Sequence, residues 1–261
     1  MSAVLAAAPA APLVRRLRAA WRLARALLHA LHGLLTVRVA FAWLTRPARE
    51  RCIGRWSRRM FEALGVRVEQ RGALHESAPL IVANHVSWLD VMALHAACPQ
   101  ARFVAMAELR QWGSVARLAD GARTIYLQRR RLRDLHRVVR EAAAALRAGD
   151  RVAVFPEGVV SEGHGLLPFH GNLLQSAIDA GVAVQAVALR YSDAAHAVSD
   201  AVDFTGGITL AQSLWRIACA EGLVLQVRVL PPRATAGERR RELAARLRAD
   251  IAAALALPPR G

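Results

Sequence analysis

A chain of 261 residues has room for one large domain with a full core, and 54% hydrophobic residues with a mean hydropathy of +0.22 is high for a water-soluble protein. No run of about 18 uncharged apolar residues occurs, which predicts membrane attachment without a conventional spanning helix. The net charge is +16, yet aromatics are only 5% and no nucleic-acid-binding motif appears; the bias points to an anionic surface and away from nucleic acid.

The amino-terminal segment, residues 1–12, is rich in Ala and Pro and reads as a disordered leader. Its arginines follow the apolar residues instead of preceding them, the wrong polarity for a secretory signal, which predicts a cytoplasmic protein. Cys52, Cys98 and Cys219 are widely spaced and odd in number; they fit neither a disulfide framework nor a zinc site. All 36 basic residues are arginine, and fourteen fall in residues 1–71 against Glu50, Glu62 and Glu69.

Residues 13–64 predict two amphipathic helices. Arg15, Arg18, Arg22, Arg25, His29, His32 and Thr36 recur at spacings of three and four, forming one polar stripe on an otherwise apolar helix. Arg16 breaks the pattern. A narrow cationic stripe beside a broad apolar face suits a helix lying in a membrane interface. Pro47 opens the second helix, with Arg51, Arg55 and Arg58 on one side and Ile53, Trp56, Met60 and Leu64 on another. The competing reading is a helical hairpin packed on the domain with its arginines in water.

Residues 65–261 alternate short apolar runs with helical periodicity. That predicts an α/β domain with a mixed, mostly parallel sheet flanked by helices. Strands are expected over 66–70, 80–83, 102–105, 124–127, 152–155, 184–189 and 223–229. Helices are expected over 87–97, 132–147, 173–180, 210–220 and 237–257.

Three stretches carry chemistry. Asn84-His85-Val86-Ser87-Trp88-Leu89-Asp90 follows a buried strand, at the strand end where open α/β sheets build their sites. Ser87 with Asp90 reads as a helix start, the serine as N-cap and the acid at N3. Two helical residues five apart point about 140° away from each other. If His85 instead lies in the turn before the helix, Asp90 reaches back and orients it as a base. A loop histidine beside a simple helix cap fits the same letters. Phe155-Pro156-Glu157-Gly158 ends another apolar strand, with Ser161 close behind. Proline stops the strand and glycine permits a tight turn that displays Glu157; an exposed turn glutamate is the plain alternative. Residues 124–129 form a strand delivering Arg129, whose fork could clamp a phosphate. A solvated basic face is the plain reading of Arg133, Arg137 and Arg140 beyond it.

In this order, these stretches resemble the glycerolipid acyltransferases typified by 1-acylglycerol-3-phosphate acyltransferase. The match runs through Asn84-His85 with Asp90, Phe103-Val104-Ala105 to Arg129, Phe155-Pro156-Glu157-Gly158 with Ser161, and 182–187 after Gly181. Leu167-Pro168-Phe169-His170 is similar to bacterial members. The resemblance covers residues 66 to 230. It implies an enzyme on the cytoplasmic face of the inner membrane that moves an acyl chain from acyl carrier protein or acyl-CoA to a lysolipid hydroxyl. It implies His85 as general base and Asp90 as its orienting partner. It also implies Glu157, Gly158 and Ser161 around the acceptor, Arg129 on the acceptor's phosphate, and no metal or bound cofactor.

The departures concern the head group. Met106 stands where the family usually has lysine, and Arg123, where glycine is common, is a candidate to restore that charge. Val159 and Val160 replace threonines, and Ala186 a proline. Lyso-ornithine lipid, whose head group carries no phosphate, is therefore an alternative acceptor, and a catalytically silent lipid-binding relative is an alternative of another class. A lipase would need a G-x-S-x-G elbow, which is absent.

Overall fold

The computed structural model describes residues 12–128 and 132–256. The leader at 1–11 and Arg129 lie outside the described residues. Helices α1 (Pro12–Leu35) and α2 (Arg46–Leu64) come first, α1 running on through a π-helical turn, Thr36–Ala40. Then follow β1 (Arg67–Arg71), β2 (Leu80–Ala83), α3 (Leu89–Ala97), β3 (Ala101–Met106), α4 (Ser114–Gly121), β4 (Ile125–Leu127), α5 (Leu132–Arg147), β5 (Arg151–Val154), α6 (Gln175–Ala180), β6 (Val184–Ser192), α7 (Leu210–Cys219), β7 (Val224–Arg233) and α8 (Arg240–Ala254).

Among the described residues the strands form one seven-stranded sheet in the order β1-β7-β6-β2-β5-β3-β4, parallel except for the β6–β7 pair. Leu80 to Ala83 are all fully buried, as a central parallel strand covered on both faces requires. One face packs on α1, α2, α3 and α7 around Phe61, Ile81, Leu89, Leu94 and Leu225; the other packs on α5, α6 and α8 around Leu80, Val152, Leu174 and Leu247. The α2 side chains Phe61 and Leu64 belong to the first core, so α2 is built into the sheet's packing.

Several expected boundaries moved, for local reasons. Helix α3 starts at Leu89, not 87, because the Asp90 carboxylate takes the Ser87 N–H. Helix α8 starts at Arg240, since Gly237 sits in a turn with φ 74. Strand β7 runs through Pro231 and Pro232, past the expected end at 229. The register shift between Gln185 and Val187 lets a proline sit where it donates nothing. Helix α4 was not expected: it is a single short helix between two loops.

The expectation of no spanning helix is corrected in part. Leu13–Ala40 is long and apolar enough to cross a membrane by length and composition, because the charges cluster in its first half and only Arg38 follows Arg25. Its polar stripe, however, turns inward. Arg15 Nε donates to the Cys219 carbonyl, Arg22 Nη1 to those of Ala218 and Ala220, and Arg18 pairs with Glu221. His29 and Trp56 stack at 5.4 Å and bond each other's backbone. The apolar side, with Leu17, Trp21, Leu27, Leu28, Leu31 and Leu35, is exposed.

Candidate active site

The His85 loop is assembled where β2 runs out of buried positions. The Asn84 amide continues the β2–β6 pairing as a side chain: Nδ2 donates to the Leu189 carbonyl at 2.9 Å and Oδ1 accepts its N–H at 2.8 Å. The chain then turns, and the backbone of His85 is held from the β5 side. Its N–H donates to Glu157 Oε1 at 2.8 Å, and its carbonyl accepts from the Ser161 N–H at 2.8 Å and hydroxyl at 3.0 Å. The second Glu157 oxygen accepts from Leu167 N–H at 2.9 Å.

Glu157 is therefore not displayed at the strand end. It is 3% exposed and folded inward, because two loop N–H groups need acceptors. Burial pushes its carboxyl above the ordinary value, while the His85 and Leu167 N–H groups pull it back. Gly158 has φ 75, in the region that favours glycine, so the turn back toward Phe155 needs this residue.

Asp90 is fully buried and reaches back out of the first turn of α3. Its Oδ2 accepts from His85 Nδ1 at 2.9 Å, Val86 N–H at 2.6 Å and Ser87 N–H at 2.8 Å; its Oδ1 accepts from the Tyr191 hydroxyl at 2.7 Å. The carboxylate caps its own helix, and the expected serine cap is corrected: Ser87 Oγ is buried with no hydrogen-bond partner. Burial and the Asp90 charge push the Tyr191 phenol well above its ordinary range, so it stays a donor.

One face of the His85 ring lies on Phe155, with centroids 4.1 Å apart and planes at 12°. Asp90 Oδ2 accepts from two backbone N–H groups as well, so in its contact with the ring Nδ1 is the donor. Among the described residues nothing hydrogen-bonds Nε2, and the ring is 18% exposed. Asp90 at Nδ1 and Phe155 on one face fix the orientation of the ring. Among the described residues no group of three His, Cys, Asp or Glu side chains is placed to hold a metal ion.

A family profile described as "Acyltransferase" matches residues 65–190. The chain is 36% identical over 210 residues to the lyso-ornithine lipid O-acyltransferase of Pseudomonas aeruginosa, covering 80% of each chain. The chain belongs to this acyltransferase family. It is also 37% identical over 164 residues to the 1-acyl-sn-glycerol-3-phosphate acyltransferase of Neisseria gonorrhoeae, a match that takes in 63% of this chain and 64% of that protein. The crystal structure of the 1-acyl-sn-glycerophosphate acyltransferase of Thermotoga maritima has the same fold, with a TM-score of 0.63 over 90% of this chain and 96% of that one, at 22% identity.

Within this family architecture the remaining site residues separate. Ser161 sits on the His85 backbone. Arg123 lies at the opposite edge of the sheet, before β4, with its fork on the buried carboxylate of Asp150 at 2.8 and 3.3 Å. It does not join His85, and its φ of 60 explains why glycine suits that position. Arg137 is not merely solvated: it bonds Asp134, Glu141 and the Tyr126 carbonyl. Ala186 falls at the register shift of β6, where a proline would cost no bond to β7. Sequence reasoning missed Tyr191 and the clamping role of Asn84. Tyr191 is 101 residues from Asp90 and had no local signal.

Proposed function

We propose that this protein transfers a fatty acyl chain from a thioester donor, acyl carrier protein or acyl-CoA, to the hydroxyl of a lysolipid, with 1-acyl-sn-glycerol-3-phosphate as the acceptor. The observation that carries this reading is the buried Asp90 bonded to His85 Nδ1 while, among the described residues, no hydrogen bond occupies Nε2. His85 Nε2 takes the acceptor's hydroxyl proton as its oxygen attacks the thioester carbonyl. Asp90 keeps the ring in the productive tautomer and stabilises the imidazolium, which then returns the proton to the departing thiolate. Base catalysis of this kind is worth about 10²–10⁴ in rate. Glu157 and Ser161 act by holding the His85 main chain, and Arg129 with Gly158 serves the acceptor.

A second acceptor, lyso-ornithine lipid, is favoured by two observations: Met106 ends β3 where lysine would bring charge, and Arg123 is committed to Asp150. The exposed apolar side of α1 supports attachment to a membrane, and the cytoplasmic face is the side on which a soluble acyl thioester would reach it. Because its arginines grip α7, the helix lies flat against the body, an interfacial position and not a spanning one.

The test offers lysophosphatidic acid and lyso-ornithine lipid in parallel with one acyl thioester, with His85→Ala as control. Product from the first acceptor supports the main reading, and product only from the second moves the assignment to the ornithine lipid. Near-normal turnover by His85→Ala would sink the mechanism, and no product from either would leave a silent lipid binder.

A further inference from the structure

Strand β5 runs beside β2 in parallel register up to the Val82–Val154 pair. The next residues, Ala83 and Phe155, therefore reach the carboxyl edge of the sheet together. Side chains alternate across a strand. Val154 enters the core on the α5 side, and Phe155 packs on the α3 side. There the His85 ring lies on its face, with centroids 4.1 Å apart and planes at 12°. Phe103 of β3, 3% exposed, backs Phe155 at 5.9 Å and 23°. His95 closes the row, at a steep angle to Phe103 and 4.7 Å from it. Backed in this way, Phe155 is held against His85.

A phenyl face does different things to the two forms of an imidazole. The neutral ring gains packing. The protonated ring also sits on the negative side of the phenyl quadrupole, an attraction that grows where water is excluded. The His85 side chain is 18% exposed, so water gives a charged ring little help. Two carboxylates stand close to His85, and both are shared with other donors. Asp90 also accepts from Val86, Ser87 and Tyr191. Glu157 accepts from the His85 and Leu167 N–H groups. Part of their charge is thus spent on those partners, and the Phe155 face adds negative potential directly against the ring.

We propose that the Phe155 ring stabilises His85 as an imidazolium, and so favours the transition state in which the acceptor's hydroxyl proton moves to Nε2. The proposal rests on the acyl-transfer reading above and gives Phe155 a charge-selective role beyond orienting the ring. Phe155 acts here through His85, not on the substrate. In the catalytic cycle His85 is charged only between the two proton transfers. The attraction is absent from the neutral enzyme and present as the thioester is attacked. An interaction made in the transition state and missing from the ground state lowers the barrier. One of this type is worth about two- to thirtyfold in rate.

The test keeps the shape of the ring and changes its charge distribution. In the full-length protein Phe155 is replaced by mono-, di- and trifluorinated phenylalanine, each fluorine withdrawing negative charge from the ring face. Phe155→Leu stands beside this series as an apolar cover without a ring. kcat/KM is followed across the pH range in which histidine titrates, with one acyl thioester and the acceptor that the wild type uses. The acceptor's own ionisation is common to every protein and cancels in the comparison. Turnover should fall stepwise with fluorine count, and Phe155→Leu should cost about two- to thirtyfold. A less stabilised imidazolium gives up its proton more readily, so the acid limb of the profile should move to lower pH, by roughly 0.4 to 1.5 in Phe155→Leu. The fluorinated rings differ little in size from phenyl, so the series decides the matter even where Phe155→Leu folds poorly. Turnover independent of fluorine count, or an acid limb that stays in place or moves to higher pH, would mean that Phe155 only packs. Either result overturns the proposal while leaving acyl transfer standing. Near-normal turnover by His85→Ala would overturn both.

Discussion

Both oxygens of Asp90 are occupied before any substrate arrives. A fully buried carboxylate is tolerated only when its lone pairs are satisfied, and here His85, Val86, Ser87 and Tyr191 supply four donors. The Tyr191→Phe variant leaves Oδ1 without a partner. We expect it to cost about 1–3 kcal/mol of stability, read by thermal denaturation, and to lower kcat less than Asp90→Asn does. Asp90→Asn keeps the size but turns an amide toward three donors, and should cost about 10⁴ in kcat, as the loss of a base-orienting aspartate does in serine proteases. A Tyr191→Phe protein as stable as wild type would show that the phenol is not what holds Oδ1. The His85–Asp90 contact was legible because five residues of chain suffice to make it. Tyr191 was not, because the sheet alone brings β6 beside β2.

Elements explain what their own sequences leave ambiguous. The stripe of α1 looked like a surface for anionic lipid, yet two of its arginines, Arg15 and Arg22, meet the carboxyl end of α7, whose unpaired carbonyls carry the negative end of the helix dipole, and Arg18 pairs with Glu221 just beyond it. Arg22→Ala removes donors to two carbonyls, and we expect about 1 kcal/mol of destabilisation in a denaturant titration; an unchanged midpoint would mean water replaces the guanidinium. Helix α3 carries a second device. His95 is buried against the edge of Phe103, and burial lowers its pKa to about 4 from 6.5. The folded protein keeps it neutral while the unfolded chain binds a proton below 6.5, so stability falls as pH drops from 6.5 toward 4. The loss should approach about 3 kcal/mol. A His95→Leu variant should lose that dependence, and a pH profile parallel to wild type would refute the assignment.

At the scale of the whole molecule, the sheet brings the ends of β2 and β5 side by side and carries α1 and α2 against one face. Cutting away residues 1–64 would strip Phe61 and Leu64 from the core and confuse folding with membrane release. Surface changes on α1 separate the two. Leu27, Leu28 and Leu31 are 62%, 66% and 54% exposed. Changing all three to Gln should reduce sedimentation with anionic vesicles about tenfold or more while the melting temperature holds. Persistent sedimentation would place the membrane contact elsewhere.

What the sequence determined by itself was whatever depends on neighbours along the chain: the strand and helix pattern, the helix α5 from 132 to 147, the His85–Asp90 pairing, and the glycine turn at 158. The tertiary structure decided which way side chains face and what they meet across the fold. Glu157 turned inward because two loop amides needed an acceptor, and Arg123 went to Asp150 because β4 starts at the sheet edge far from His85. The α1 arginines found α7 because its unpaired carbonyls accept from a guanidinium across the fold, which spacing along one helix cannot reveal. Periodicity records that a face is polar; only packing assigns its partner.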